Sequence, residues 1–166
     1  MGTYICRPAE EKDYRAVCNL FKRVTADLIA KGVYQWDEIY PNDENAAKDI
    51  KNREMHVLEA KGEIAAVFVL NREAPLYERG SWLNKDGAWI ALHRFCVDPD
   101  LQGQGVGKAA FAQAESIAKS LGSVSLRLDA YTLNTASNRL YQGQGCRKCG
   151  EADYRKGRFN LYEKLL

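Results

Sequence analysis

The sequence predicts a single α/β (α+β) domain over residues 1–166, with a mixed, mostly antiparallel central sheet flanked by helices. Three observations predict it. Two apolar runs flanking Lys61-Gly62 read as a hairpin, which makes the first half antiparallel. The second half runs strand, helix, strand from Ala88 to Asp129, the signature of a parallel unit. The chain has 166 residues, 46% of them hydrophobic and 28% charged, enough for one core that needs no disulfide or metal staple.

The elements follow in order. Residues 4–7 read as an opening strand, and after Pro8 the stretch 10–30 sets Val17, Leu20, Phe21, Val24 and Leu28 at helical spacing before Gly32. Residues 33–42 (VYQWDEIYPN) are aromatic and irregular, a loop of the kind that meets ligands, and Asn42 caps a short helix through about residue 51. The hairpin strands are 55–60 and 63–71, and 88–97 (AWIALHRFCV) is the longest strand of the sequence. A helix over 107–121 carries Val106, Ala110, Ala114, Ile117, Ala118 and Leu121 on one stripe and stops at Gly122. A strand resumes at 124–129, a polar helix spans 134–143, and 158–165 alternates as a final strand. No internal repeat or low-complexity linker interrupts the series.

Composition excludes several classes. Lys plus Arg number 24 against 22 Asp plus Glu, a formal charge of +2 with no basic block, so no nucleic-acid partner is expected. No apolar run reaches signal-peptide or membrane-spanning length, so a cytoplasmic protein without a membrane partner is expected. The five cysteines are odd in number and scattered, which fits reduced thiols. Cys146 and Cys149 form a CxxC, but zinc needs two more ligands and the histidines are only His56 and His93; no metal is expected.

The most informative stretch is Gln102-Gly103-Gln104-Gly105-Val106-Gly107, set between the strongest strand and the clearest helix. Glycines at alternate positions let successive N–H groups converge on an anion at the positive end of a helix. The plain alternative is a tight turn that needs glycine. A Walker A loop fails, because Gln102 stands where its first glycine belongs and Ala109 where its hydroxyl belongs. The dinucleotide fingerprint fits better: Gly105-x-Gly107-x-x-Ala110 matches GxGxxA, and Asp129 ends the next strand near the place of a ribose-binding acid. Against this NAD-dependent oxidoreductase reading, seven residues separate Val97 from Gly105, and too little chain follows to complete a parallel sheet.

The third reading is an acyl-coenzyme A site. Phe95-Cys96-Val97-Asp98-Pro99 followed by Gln102-x-x-Gly105-x-Gly107 resembles the strand end and Q/R-x-x-G-x-G/A pyrophosphate loop of the GNAT family of N-acetyltransferases. Asn134, Tyr141 and Gly145 are similar to that family's Asn...Tyr...Gly-Phe motif, with Cys146 in place of Phe. Arg7-Pro8-Ala9 with Asp13, and Tyr162-Glu163-Lys164-Leu165, extend the likeness over most of the chain, leaving residues 36–82 less constrained.

The resemblance implies a GNAT-like sheet whose parallel fourth and fifth strands splay apart to admit acetyl-CoA as cosubstrate. It implies backbone contacts to the pantetheine arm from Phe95 and Val97, with Cys96 facing the opposite way, and pyrophosphate contacts from Gln102, Gly103, Gln104, Gly105, Val106, Gly107 and Lys108. Asn134 would touch the cofactor arm or cap its helix. Tyr141 would be the general acid, since a phenol with a pKa of about 10 is protonated at neutral pH and can protonate the departing sulfur. The Val97 N–H would hold the thioester oxygen as charge builds.

Many relatives place Glu six residues before this valine, where this chain has Ala91; His93, on the same strand face, is the expected base or substrate ligand, with a water relay as the alternative. Trp36, Tyr40, Trp82 and Tyr131 are expected around an acceptor pocket, with Asp37, Glu38 or Asp129 to hold an ammonium group. The expected activity is acetyl transfer to a primary amine of a small molecule or peptide by direct attack in a ternary complex, in an enzyme expected from relatives to form a homodimer. The alternative classes are the NAD-dependent oxidoreductase and a noncatalytic CoA-binding sensor.

Overall fold

The computed structural model describes residues 3–74 and 76–166. In chain order the described elements are β1 (Tyr4–Pro8), α1 (Tyr14–Ala30), α2 (Asp43–Lys51), β2 (Met55–Ala60), β3 (Glu63–Asn71), β4 (Trp89–Val97), α3 (Val106–Ser120), β5 (Ser125–Tyr131), α4 (Thr135–Gly143), β6 (Arg147–Tyr154) and β7 (Gly157–Leu165). Among the described residues the strands form one seven-stranded sheet in the order β1-β2-β3-β4-β5-β7-β6. It is mostly antiparallel, and β4 with β5 is its parallel pair. The expected mixed α/β fold is therefore observed.

The chain divides into two compact units, and the divisions fall inside β3, β4 and α3. The first unit comprises Met1–Val69 and Arg94–Ala110. Its hairpin pairs Met55 with Val69 and Ala60 with Glu63, around the predicted Lys61-Gly62 turn. Val17, Leu20, Phe21 and Val24 of α1 pack with Met55, Val57, Val67, Val69 and Cys96, a stripe-on-sheet core. Asn42 accepts the Asn45 N–H at 2.9 Å, and the Asn45 side chain returns a bond to the Asn42 N–H, so the predicted cap opens α2 at the expected residue. Arg7 binds Asp13 and Glu59 and holds the Asp13 carboxyl below its usual range. His56 is a core histidine: its ring stacks on Phe68 at 5.3 Å, and burial lowers its pKa.

The second unit comprises Leu70–His93 and Phe111–Leu166. Here β4 pairs with β5 from Trp89↔Ser125 to Leu92↔Leu128, and β5 pairs antiparallel with β7 along its whole length. Tyr77, Trp82, Ala91, Cys149, Ala152 and Leu161 form a buried cluster. Arg127 and Glu163 make a buried ion pair at 3.0 Å, and the guanidinium lies 4.5 Å from the Trp82 ring centre and 4.8 Å from that of Trp89. Glu163 also accepts the N–H groups of Leu83 and Asn84, which staples the 82–84 segment.

The strand β6 is an addition to the sequence reading. All five cysteines are free thiols, and burial pushes Cys96 and Cys146 up to about 12, far from thiolate chemistry. No cluster of His, Cys, Asp or Glu suited to a metal ion occurs among the described residues, and none of their helices is long and apolar enough to cross a membrane.

Candidate active site

In the first unit, β4 runs out through Phe95, Cys96 and Val97 into the glycine loop. Cys96 points into the core, as alternation predicts, while Phe95 and Val97 are only partly buried; the Phe95 ring lies 6.5 Å from that of Phe68. The Asp98 N–H donates to Ala65 O at 2.8 Å, and the Asp98 carboxylate accepts the Asp100 N–H to open a one-turn 3-10 helix at Pro99–Leu101. The chain then passes through Gln102, Gly103, Gln104 and Gly105, all exposed, into α3 at Val106.

Gly103 and Gly105 have φ of +75° and +85°, the left-handed region that L side chains rarely adopt, and a Cβ at either would meet nothing within 4 Å. The glycines are therefore required by dihedral rather than by crowding, and the space over the loop is open. Left-handed residues at alternate positions beside the first turn of a 15-residue helix are the backbone pattern from which anion-accepting concavities are built. The donor set is backbone N–H, which suits a pyrophosphate.

Two side chains that sequence reasoning missed, Arg23 of α1 and Lys31 just past its end, strap this loop. Arg23 grips both Asp98 oxygens at 2.9 and 2.8 Å and Asp100 at 2.9 Å. Lys31 donates to the Gln102 amide oxygen at 3.0 Å, which leaves the amide N–H group of Gln102 as its donor. Gln104 donates to Asp100 O, and Lys108 is exposed on α3.

Arg94 is a third missed residue. It is a non-glycine with φ of +46° inside a strand, a conformation that persists only where the surroundings impose it. Its guanidinium binds both Asp49 oxygens at 2.6 and 2.7 Å and donates to the Tyr40 hydroxyl at 3.0 Å. Burial works against the Arg94 charge, but Tyr40 and Asp49 outweigh it and keep the guanidinium protonated. The latch holds the kink just before Phe95–Val97.

In the second unit, His93 closes its half of β4 with its ring 6.3 Å from that of Tyr77. The Tyr77 hydroxyl donates to Asp129 Oδ2 at 2.9 Å, and Tyr154 donates to the same oxygen at 3.4 Å. Burial pushes the Asp129 carboxyl up to about 6, against the pull of those two phenols. Asn134 caps α4 by accepting the Ser137 N–H at 3.0 Å. Tyr141, on α4, is 5% exposed, with Phe111 and Tyr162 at 6.0 and 6.1 Å between ring centres.

The aromatics expected around an acceptor pocket are largely withdrawn from solvent. Trp36 is 7% exposed and meets Phe21 edge-on, Trp82 is 8% exposed with its indole N–H donating to Tyr77 O, and Tyr131, also 8%, packs against Phe159. Tyr40 is partly exposed and committed to Arg94.

The model of the Acetyltransferase (GNAT) family matches residues 16–146. The chain belongs to the GNAT family. As a GNAT acetyltransferase it is an acyltransferase, and its fold is one that uses acetyl-CoA. It is 28% identical to the uncharacterized N-acetyltransferase YesJ of Bacillus subtilis (strain 168), over 99% of this chain and 91% of that protein. A GNAT acetyltransferase crystal structure from Streptococcus agalactiae 2603 superposes with a TM-score of 0.85 at 20% identity, covering 98% of this chain and 95% of that one. The PaiA N-acetyltransferase of Thermoplasma acidophilum, solved in complex with coenzyme A, superposes with a TM-score of 0.74 at 15% identity over 99% of both chains. GNAT membership displaces the oxidoreductase alternative, and Asp129, which that reading set against a ribose, is engaged by Tyr77 and Tyr154.

Proposed function

We propose that this GNAT protein transfers an acetyl group from acetyl-CoA to a primary amine of a small molecule or peptide, by direct attack in a ternary complex. The observation that carries the reading is the 98–107 loop: two left-handed glycines, open space above them, and a helix start, all strapped to α1 and its C-terminal cap by Arg23 and Lys31. The N–H groups of residues 103–108 hold the pyrophosphate, and the Gln102 amide N–H group donates beside them. Lys108 adds positive charge. Phe95 and Val97 offer backbone groups to the pantetheine arm, past the Arg94 kink.

Acetyl-CoA supplies an activated thioester carbonyl. The Val97 N–H donates to its oxygen as negative charge develops there, a fixed dipole that needs no reorganisation. Tyr141 protonates the departing sulfur. His93 binds the acceptor or takes its proton, directly or through water.

The test is release of coenzyme A thiol from acetyl-CoA in the presence of spermidine, tyramine or a peptide with a free N-terminal alanine. Acetylation of one of these at least about tenfold above the hydrolysis background supports the reading, since base and acid steps contribute factors of 10² or more. Tight coenzyme A binding with no thiol release in any arm would establish the noncatalytic sensor instead.

A further inference from the structure

Asp129 follows directly on the last β4–β5 pair, Leu92↔Leu128. His93 likewise follows that pair on β4, and alternation puts both on the sheet face of Trp89, Ala91 and Arg127. Ala91 stands where the family resemblance would put a carboxylate, and it is fully buried in the cluster of Tyr77, Trp82 and Leu161. A carboxylate buried in that cluster without a partner would be costly. The carboxylate of this face that no cation neutralises is instead one strand over, at Asp129.

Tyr77 joins the two neighbours, with its ring against His93 and its hydroxyl on Asp129. Both phenol bonds fall on Oδ2; Oδ1 accepts no hydrogen bond among the described residues. The other ionisable groups of this face are accounted for. Arg127 of β5 is committed to Glu163 of β7, and the Cys149 thiol of β6 is held neutral by burial. Opposite Asp129, β7 presents the apolar Leu161.

Resting on the acetyltransferase reading above, we propose that Asp129 is the general base, accepting the acceptor amine's proton on Oδ1 while Tyr77 and Tyr154 fix Oδ2. As the neutral amine nitrogen bonds to the thioester carbon, an N–H bond breaks and its proton passes to Oδ1; the C–S bond breaks, and Tyr141 protonates the sulfur. Solvent then takes the proton from Asp129 and restores that of Tyr141. This assignment takes the base role from His93, which becomes a positioning residue that packs Tyr77 in place. A carboxylate titrating near pH 6 is ionised at neutral pH yet more basic than an ordinary aspartate. A carboxylate walled by aromatic rings also favours acceptors that arrive as cations, which give up one proton to solvent before the neutral nitrogen attacks.

The test uses the full chain with acetyl-CoA and two probes, tyramine acetylation and amine-independent hydrolysis, in which water gives up the same proton. Asp129→Asn lowers kcat/KM about 100-fold or more, leaves acetyl-CoA affinity by calorimetry within twofold, and abolishes the acid limb expected of wild type near pH 6. Tyr77→Phe moves that limb to higher pH, because the lost bond held the carboxyl down; this variant decides the matter if the asparagine variant does not fold. Asp129→Asn turnover within threefold of wild type with the limb intact, or a limb lost in His93→Ala and kept in Asp129→Asn, overturns the assignment. Wild-type protein that binds no acetyl-CoA, or binds it and turns over neither probe, overturns the acetyltransferase reading and this assignment with it.

Discussion

Tyr141 is packed as a core aromatic, between Phe111 and Tyr162, so removing its hydroxyl alone costs little packing. Tyr141→Phe should therefore lower kcat about 100-fold with acetyl-CoA affinity unchanged, read by steady-state kinetics beside calorimetry. Unchanged kcat would remove Tyr141 from the chemistry. Asp129 makes a prediction about stability. Its folded pKa of about 6 lies above the ordinary 3.8, so the folded state binds that proton more tightly than the unfolded one. Its contribution is fully present below about pH 4 and is lost as pH rises through about 6, up to about 3 kcal/mol. Asp129→Asn should remove that slope and leave a protein more stable than wild type at pH 7.5 in urea denaturation. Parallel pH profiles for the two proteins would contradict the assigned environment.

Residue roles were unevenly legible. Asn42 and Asn134 announce caps because a short polar side chain before a helical run has few other uses, and both caps are observed. Tyr77, Arg23 and Lys31 were not legible, since their partners lie 52 to 77 positions away in sequence. No local pattern encodes such a distance.

At the level of elements, the hairpin strands and α2 fall where the sequence puts them, since alternation, a Lys-Gly turn and a cap are local signals. The strand β6 escaped because RKCGEADY buries only Cys149 and Ala152, lies at the sheet edge and breaks register near Gly150. The positive φ of Arg94 escaped because nothing in AWIALHRFCV distinguishes a strand with one left-handed residue from a regular one. The Arg94–Asp49 latch predicts its own test. Arg94→Ala leaves a buried carboxylate without its partner and should cost about 3 kcal/mol in denaturant unfolding, with weaker acetyl-CoA binding because the Phe95–Val97 backbone loses its support. A loss below about 0.5 kcal/mol, the range of an ordinary surface change, would show that the latch adds nothing.

For the molecule as a whole, the family is carried by two short motifs, and the match over residues 16–146 includes both. That much was legible because phosphate binding by backbone N–H demands glycine at fixed spacing. The acceptor was not legible, because one scaffold serves many amines and the residues facing the acceptor follow no shared pattern. Acetyl-CoA binding at the 98–107 loop is the claim on which the rest depends. Its most direct measurement is calorimetric titration of wild type and Gly105→Asp with acetyl-CoA, coenzyme A and NAD. The account predicts micromolar binding of both coenzyme A ligands to wild type, none of NAD, and a loss of at least about 100-fold in the variant, where a carboxylate meets the phosphates on a backbone with φ of +85°. Equal coenzyme A affinity in the two proteins, or binding of NAD alone, would contradict it.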